Sequence, residues 1–236
     1  MARCAYCLTK KALTKEHVFS DWIASQFGLM ESTVASAPER RYQSLIKLKD
    51  VCADCNSGPL SVLDSYAKSL QMHDPASGPA ISADPEKLAR YLLKCGYNDA
   101  RANVKKAQNA GKRTKRFRKR VKEYACFAPF ILGSTGEPMD LDVLGGMLAF
   151  SRTVGVGQMD VSDSGRRIAF NAFFLLGGHC FLVLGWRAGT GVAYREAILE
   201  ELCRNHGWTQ IDQAGTVTLA PILLAGAILP SGTKIG

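Results

Sequence analysis

The chain has 236 residues, of which 47% are hydrophobic and 22% charged, the balance of a folded globular protein and not of a disordered or low-complexity one. That length suffices for one large domain or two small ones with a real core. The net charge is +9, yet residues 101–122 alone hold eleven Lys/Arg and no Asp/Glu, so the excess is one local footprint and not a generally basic surface.

The opening, MARCAYCLTKKALTKEH, holds no apolar run of the kind an export signal needs. The reducing cytoplasm is therefore the expected compartment, where paired Cys-x-x-Cys units bind metal more often than they oxidise. Two such units are present, Cys4/Cys7 and Cys52/Cys55. Each short turn aims two sulfurs at one point, and four thiolates complete the tetrahedral shell of a structural Zn²⁺. Between and after them stand Glu16, His17, Asn56 and Asp64. SDWIASQFGLME, 20–31, leaves room for a helix inside the motif. Pro59 suits an early helical position, which predicts a second helix over roughly 59–71 that carries Asp64.

HDPASGPAISADP, 73–85, is rich in breakers and reads as a linker or exposed loop. Asp84 followed by Pro85 is a helix start, and Leu88, Leu92 and Cys95 at helical spacing predict a helix over 85–96. In the basic segment, Phe117, Val121 and Tyr124 fit a cationic amphipathic helix, while the alternation in FRKRVKEYACF equally fits the start of a strand. EYACFAPFIL reads as a strand and MDLDVLGGMLAFS as a short helix after an Asp cap. RRIAFNAFFLL and HCFLVLGWR read as a β-hairpin. The interruption at Asn171 and Gly177-Gly178-His179 makes 168–186 two strands and not a membrane span. YREAILEELCRNHG predicts an amphipathic helix with Ile198, Leu199 and Leu202 inward and Gly207 past its end. TVTLAPILLAG predicts a last strand. Cys95, Cys126, Cys180 and Cys203 stand alone in apolar surroundings and read as core residues. His73, His179 and His206 have no partner spacing.

The residues CAYC, Glu16-His17, CADCN at 52–56 and Asp64 together resemble the zinc-containing HNH endonucleases, whose catalytic module is the ββα-metal fold. The resemblance covers about 70 residues. It implies that His17 is the general base that activates water. Asn56 would organise the local backbone, and Glu16 and Asp64 would hold a catalytic Mg²⁺ or Mn²⁺. Asp64 stands where the family's third letter is often histidine, and a carboxylate there suits a hard, oxygen-loving cation.

The expected architecture is α+β: an HNH-like ββα-metal zinc module over 1–72, a linker, helix and basic segment over 73–124, and an α+β domain over 125–236. The expected function is a metal-dependent endonuclease acting on DNA, with RNA left open. The alternative is a non-catalytic, zinc-stapled module that binds nucleic acid. Lys112, Arg113, Lys115, Arg116, Arg118, Lys119, Arg120 and Lys122 are the candidate phosphate contacts. The apolar strands of the C-terminal region suit plain core and equally allow a homodimer.

Overall fold

The computed structural model describes residues 2–26, 34–35, 41–42, 47–70, 79–134, 139–148, 153–158, 161 and 166–222. It is a mixture of helices and antiparallel strands. After the first cysteine pair, β1 (Leu13–His17) leads into the short helix α1 (Asp21–Gln26). A two-residue ladder, β2 (Val34–Ala35) with β3 (Arg41–Tyr42), follows. Next, β4 (Lys47–Cys52) pairs antiparallel with β1, with His17 opposite Lys47 and Leu13 opposite Cys52. The ladder slips between Thr14 and Lys15, where Asp50 is the extra residue of a bulge in β4. One turn of helix, α2 (Ala53–Cys55), an irregular turn over Asn56–Leu60 kinked at Gly58, and α3 (Ser61–Ser69) complete a ββα unit. The expected helix around 59–71 is thus present, and Leu60, Leu63 and Ala67 turn into the core.

The stretch read as a linker contains β5 (Ala80–Ala83); residues 71–78 lie outside the described set. The next helix, α4 (Pro85–Asn109), is more than a dozen residues longer than its apolar spacing foretells. A turn with Gly111 at φ 64° leads to α5 (Lys115–Ala125) and α6 (Ala128–Ile131). This corrects the reading of EYACFAPFIL as a strand and decides the basic segment in favour of helix. Tyr124 is buried, and a Cβ at Gly96 would lie 2.3 Å from its ring, so only glycine lets α5 approach α4 this closely.

A five-stranded antiparallel sheet follows, in the order β10-β6-β9-β8-β7. Its strands are β6 (Leu141–Met147), β7 (Thr153–Gly157), β8 (Ile168–Gly177), β9 (His179–Trp186) and β10 (Thr209–Gln210). The helix α7 (Val192–His206) lies between β9 and β10 in the chain and ends at Gly207 with φ 75°. A last strand, β11 (Gly215–Thr218), pairs with β5. The hairpin over 168–186 and the amphipathic helix are as expected. Within MDLDVLGGMLAFS, Leu141–Met147 is instead the strand β6. A Cβ at Gly145 would lie 2.7 Å from Leu219, and one at Gly146 2.2 Å from Ile222, so two residues that look like helix breakers are close-packing sites. The sheet core gathers Phe173, Leu182, Leu184, Trp186, Leu199 and Trp208, among others. Ile198 packs against its margin. Cys95 and Cys180 are buried as expected, whereas Cys126 is exposed. His179 is buried, His206 sits in the last turn of α7, and His73 lies outside the described residues, as does 223–226 of the expected last strand.

The chain forms two compact units. One comprises Met1–Thr33, Gln43–Ser69 and Arg90–Pro138; the other comprises Val34–Tyr42, Leu70–Ala89 and Met139–Gly236. This grouping cuts across the boundaries drawn at 72 and 124, because most of α4, with α5 and α6, packs with the ββα unit. No described helix is long and apolar enough to cross a membrane.

Candidate metal centre and active site

The first unit holds a thiol cluster. Cys4 and Cys7 lie on a tight knuckle closed by Cys4 N–H donating to Thr9 O (2.9 Å) and Leu8 N–H donating to Cys4 O (3.1 Å), with Leu8 in the left-handed region at φ 60°. Cys52 ends β4 and Cys55 ends α2. The four Sγ atoms lie within 4.8 Å of one another, and Cys7 Sγ is 3.7 Å from Cys52 Sγ. The edge of a ZnS₄ tetrahedron with bonds of about 2.3 Å is about 3.8 Å, so the four residues fit a structural zinc ion. Among the described residues this is the one Cys/His/Asp/Glu cluster with ligand geometry. Its thiols differ. Hydrogen bonding to Thr9 draws Cys7 down to about 6, while burial pushes Cys52 and Cys55 up. Metal uptake releases protons, since the ligands bind as thiolates.

Asn56, next after the last cysteine, reaches back to β1. Its Nδ2 donates to Thr14 Oγ1 and to Lys15 O, both at 3.0 Å. Thr14 Oγ1 in turn donates to Val51 O at 2.9 Å. These bonds hold β1 at the register slip, two residues ahead of His17.

His17 closes β1. Its backbone oxygen accepts from Asn98 Nδ2 at 2.8 Å. Its Nδ1 is buried and lies 2.8 Å from Asp21 Oδ1, off the line of a good hydrogen bond, while the side chain as a whole keeps 19% exposure. Burial lowers its pKa below the ordinary value near 6.5, and Asp21 only partly offsets this. The imidazole is therefore uncharged at neutral pH.

Glu16 and Asp64 do converge, but on a cation already in the chain. Lys94 Nζ lies 2.9 Å from Glu16 Oε1 and 2.6 Å from Asp64 Oδ1. Its side chain is 2% exposed; those of Glu16 and Asp64 are 5% and 30% exposed. Ser20 Oγ donates to the same Asp64 oxygen, and Asn98 Nδ2 to Glu16 Oε1 at 3.4 Å. Burial raises the Glu16 pKa, opposed by Lys94. Burial would lower that of Lys94, but its two carboxylates outweigh it and hold it raised. As arranged, the pair does not fit a divalent cation, because the space between the carboxylates holds an ammonium.

Lys94 belongs to a stripe that the apolar periodicity of the sequence does not reveal. Tyr91, Lys94, Asn98 and Arg101 recur at helical spacing on α4 and are all buried. Tyr91 meets Ser20 at 3.3 Å. Asn98 Oδ1 accepts from Tyr6 at 2.7 Å and from Arg101. Arg101 pairs with Asp50 at 3.0 Å and stacks over Tyr6 and Tyr97, 5.0 and 4.6 Å from their ring centres. Tyr97 donates to Ala5 O at 3.0 Å. The helix thus grips the cysteine knuckle through Ala5 and Tyr6 and β1 through Glu16 and His17. The only signal in the sequence is the spacing of four polar or aromatic residues on a helix whose apolar face is already assigned.

Of the candidate phosphate contacts, Lys112, Arg113, Lys115, Arg116, Arg118, Lys119 and Lys122 are exposed and Arg120 is half-buried. A groove of about 510 Å³ runs beside them, lined by Arg101, Val104, Lys105, Arg118, Val121 and Lys122 among others. The first turn of α5 carries no acidic residue, so its dipole adds to the positive field there. Comparison with protein-family models, curated proteins and solved structures finds no match.

Proposed function

We propose that the chain is an endonuclease that hydrolyses phosphodiester bonds of nucleic acid, DNA in the first instance, with His17 as the general base. The observation that supports it most is the setting of His17: an uncharged, partly exposed imidazole at the end of a strand whose backbone Asn56 and Asn98 both hold. Asp21 beside the buried Nδ1 favours the proton on that nitrogen and leaves Nε2 to accept one from water. Lys47, exposed and directly across the ladder from His17, offers a cation to a phosphate presented there. The exposed face of α5 supplies further, sequence-independent phosphate contacts. Zinc at Cys4, Cys7, Cys52 and Cys55 serves as the staple. No step is assigned to Mg²⁺ or Mn²⁺ at Glu16 and Asp64, since that pair does not fit the ion as arranged.

The test is supercoiled plasmid incubated with zinc-loaded protein plus Mg²⁺ or Mn²⁺, beside an EDTA control. Nicked or linear product, abolished in His17→Ala, is the expected result. A second reading, a zinc-stapled module that binds nucleic acid without cutting it, is favoured by the one observation that an ammonium neutralises the acidic pair. DNA binding with no product under any condition selects it.

A further inference from the structure

We infer that Lys94 is the permanent cation of the Glu16–Asp64 pair, so that this pair takes up no divalent ion while Lys94 is present. Three observations carry the inference. Both carboxylates contact the one ammonium, at 2.9 and 2.6 Å. Two further neighbours, Ser20 on Asp64 and Asn98 on Glu16, donate hydrogen bonds to the same carboxylate oxygens that meet Lys94, as donors suit anions and not a metal. The lysine stem is fixed, because Lys94 lies in the buried stripe of α4 between Tyr91 and Asn98. Moving its ammonium out would strip a charge from both its partners in a water-poor site, while leaving it in place sets +1 against any +2 ion within contact distance. The pair therefore binds helix α4 to the ββα unit. Any metal the chain needs for hydrolysis is therefore held elsewhere than at these two acids.

The inference does not depend on catalysis, and its test uses no substrate. Zinc-loaded wild type, Asp64→Asn, Lys94→Met and the Lys94→Met/Asp64→Asn double variant are titrated with Mn²⁺, reading the electron paramagnetic resonance signal of the free ion. Wild type and Asp64→Asn are expected to give the same weak, non-stoichiometric uptake. Lys94→Met, left with two uncompensated carboxylates, is expected to bind one Mn²⁺ at least about tenfold tighter, and the double variant to lose that site. One Mn²⁺ bound per wild-type chain at sub-millimolar concentration, and absent in Asp64→Asn, overturns the inference. So does a folded Lys94→Met that binds no better than wild type. If circular dichroism shows Lys94→Met unfolded, the wild type against Asp64→Asn comparison decides alone. Failure of plasmid cleavage would sink the endonuclease reading and leave this result standing.

Discussion

At the scale of single residues, His17 sits at the meeting point of opposing influences. Burial favours its neutral form, Asp21 favours the charged one, and burial prevails. Its folded pKa therefore lies below its unfolded value near 6.5. The sign follows: the stability this side chain contributes is present above about 6.5 and lost as pH falls through the folded value. The same titration governs a general base. We expect kcat/KM for cleavage to fall on the acid side with its midpoint below about 6.5. A profile that breaks above the ordinary imidazole range would contradict the assignment. Asn56 is the other residue whose position has a direct consequence. Asn56→Ala removes two hydrogen bonds that hold β1 at its register slip, and should lower unfolding stability by about 1–3 kcal/mol in urea titrations. Cleavage should fall further than stability alone explains, because the course of β1 sets where His17 points. Equal activity in the variant would limit Asn56 to a structural role.

At the scale of elements, the legible and illegible parts of the chain separate by cause. The cysteine spacing, the helix bearing Asp64, the hairpin over 168–186 and the amphipathic α7 are readable because each rests on local chemistry: ligand pairs, a proline, a Gly-Gly turn, a 3.6-residue period. Strand β6 reads as a helix because an Asp cap is a local signal, whereas the close packing of Gly145 and Gly146 under Leu219 and Ile222 is not. EYACFAPFIL reads as a strand because nothing local says that Tyr124 needs the bare surface of Gly96. The stripe of α4 is invisible for a third reason. Lys94, Asn98 and Arg101 read as solvated polar residues until their partners, some 30 to 90 positions away in sequence, are brought alongside. Helix α5 supports a prediction at this scale. Replacing Lys115, Arg116, Lys119 and Lys122 by Gln should weaken DNA binding uniformly across sequences. The slope of log K against log salt should fall by roughly 0.9 for each phosphate no longer neutralised. An unchanged slope would place the DNA elsewhere.

At the scale of the whole molecule, the two compact units respond to different forces. The second is a sheet and helix closed by apolar packing, with Phe173, Trp186 and Trp208 at its core. The first carries a buried polar seam along α4, and four thiols meet where the knuckle lies beside β4. A structural zinc site of this kind is worth about 10–16 kcal/mol in apparent folding energy at neutral pH, far more than a seam of hydrogen bonds. Chelation of zinc should therefore raise amide exchange in β1, β4 and α3 by orders of magnitude while β8 and β9 keep their protection. Uniform loss of protection across both units would mean that they fold as one. The unevenness of charge belongs to this scale too. Arg101, counted with the basic run, is buried and paired, so the footprint offered to a polyanion is the exposed face of α5 and the turn before it.

The most direct measurement is the single-turnover rate of plasmid cleavage by wild type and His17→Ala at matched zinc stoichiometry and matched circular dichroism. A stapled scaffold that presents an imidazole as general base predicts a fall of about 10²–10⁴ in the variant. Equal rates, with zinc and fold intact, would contradict it.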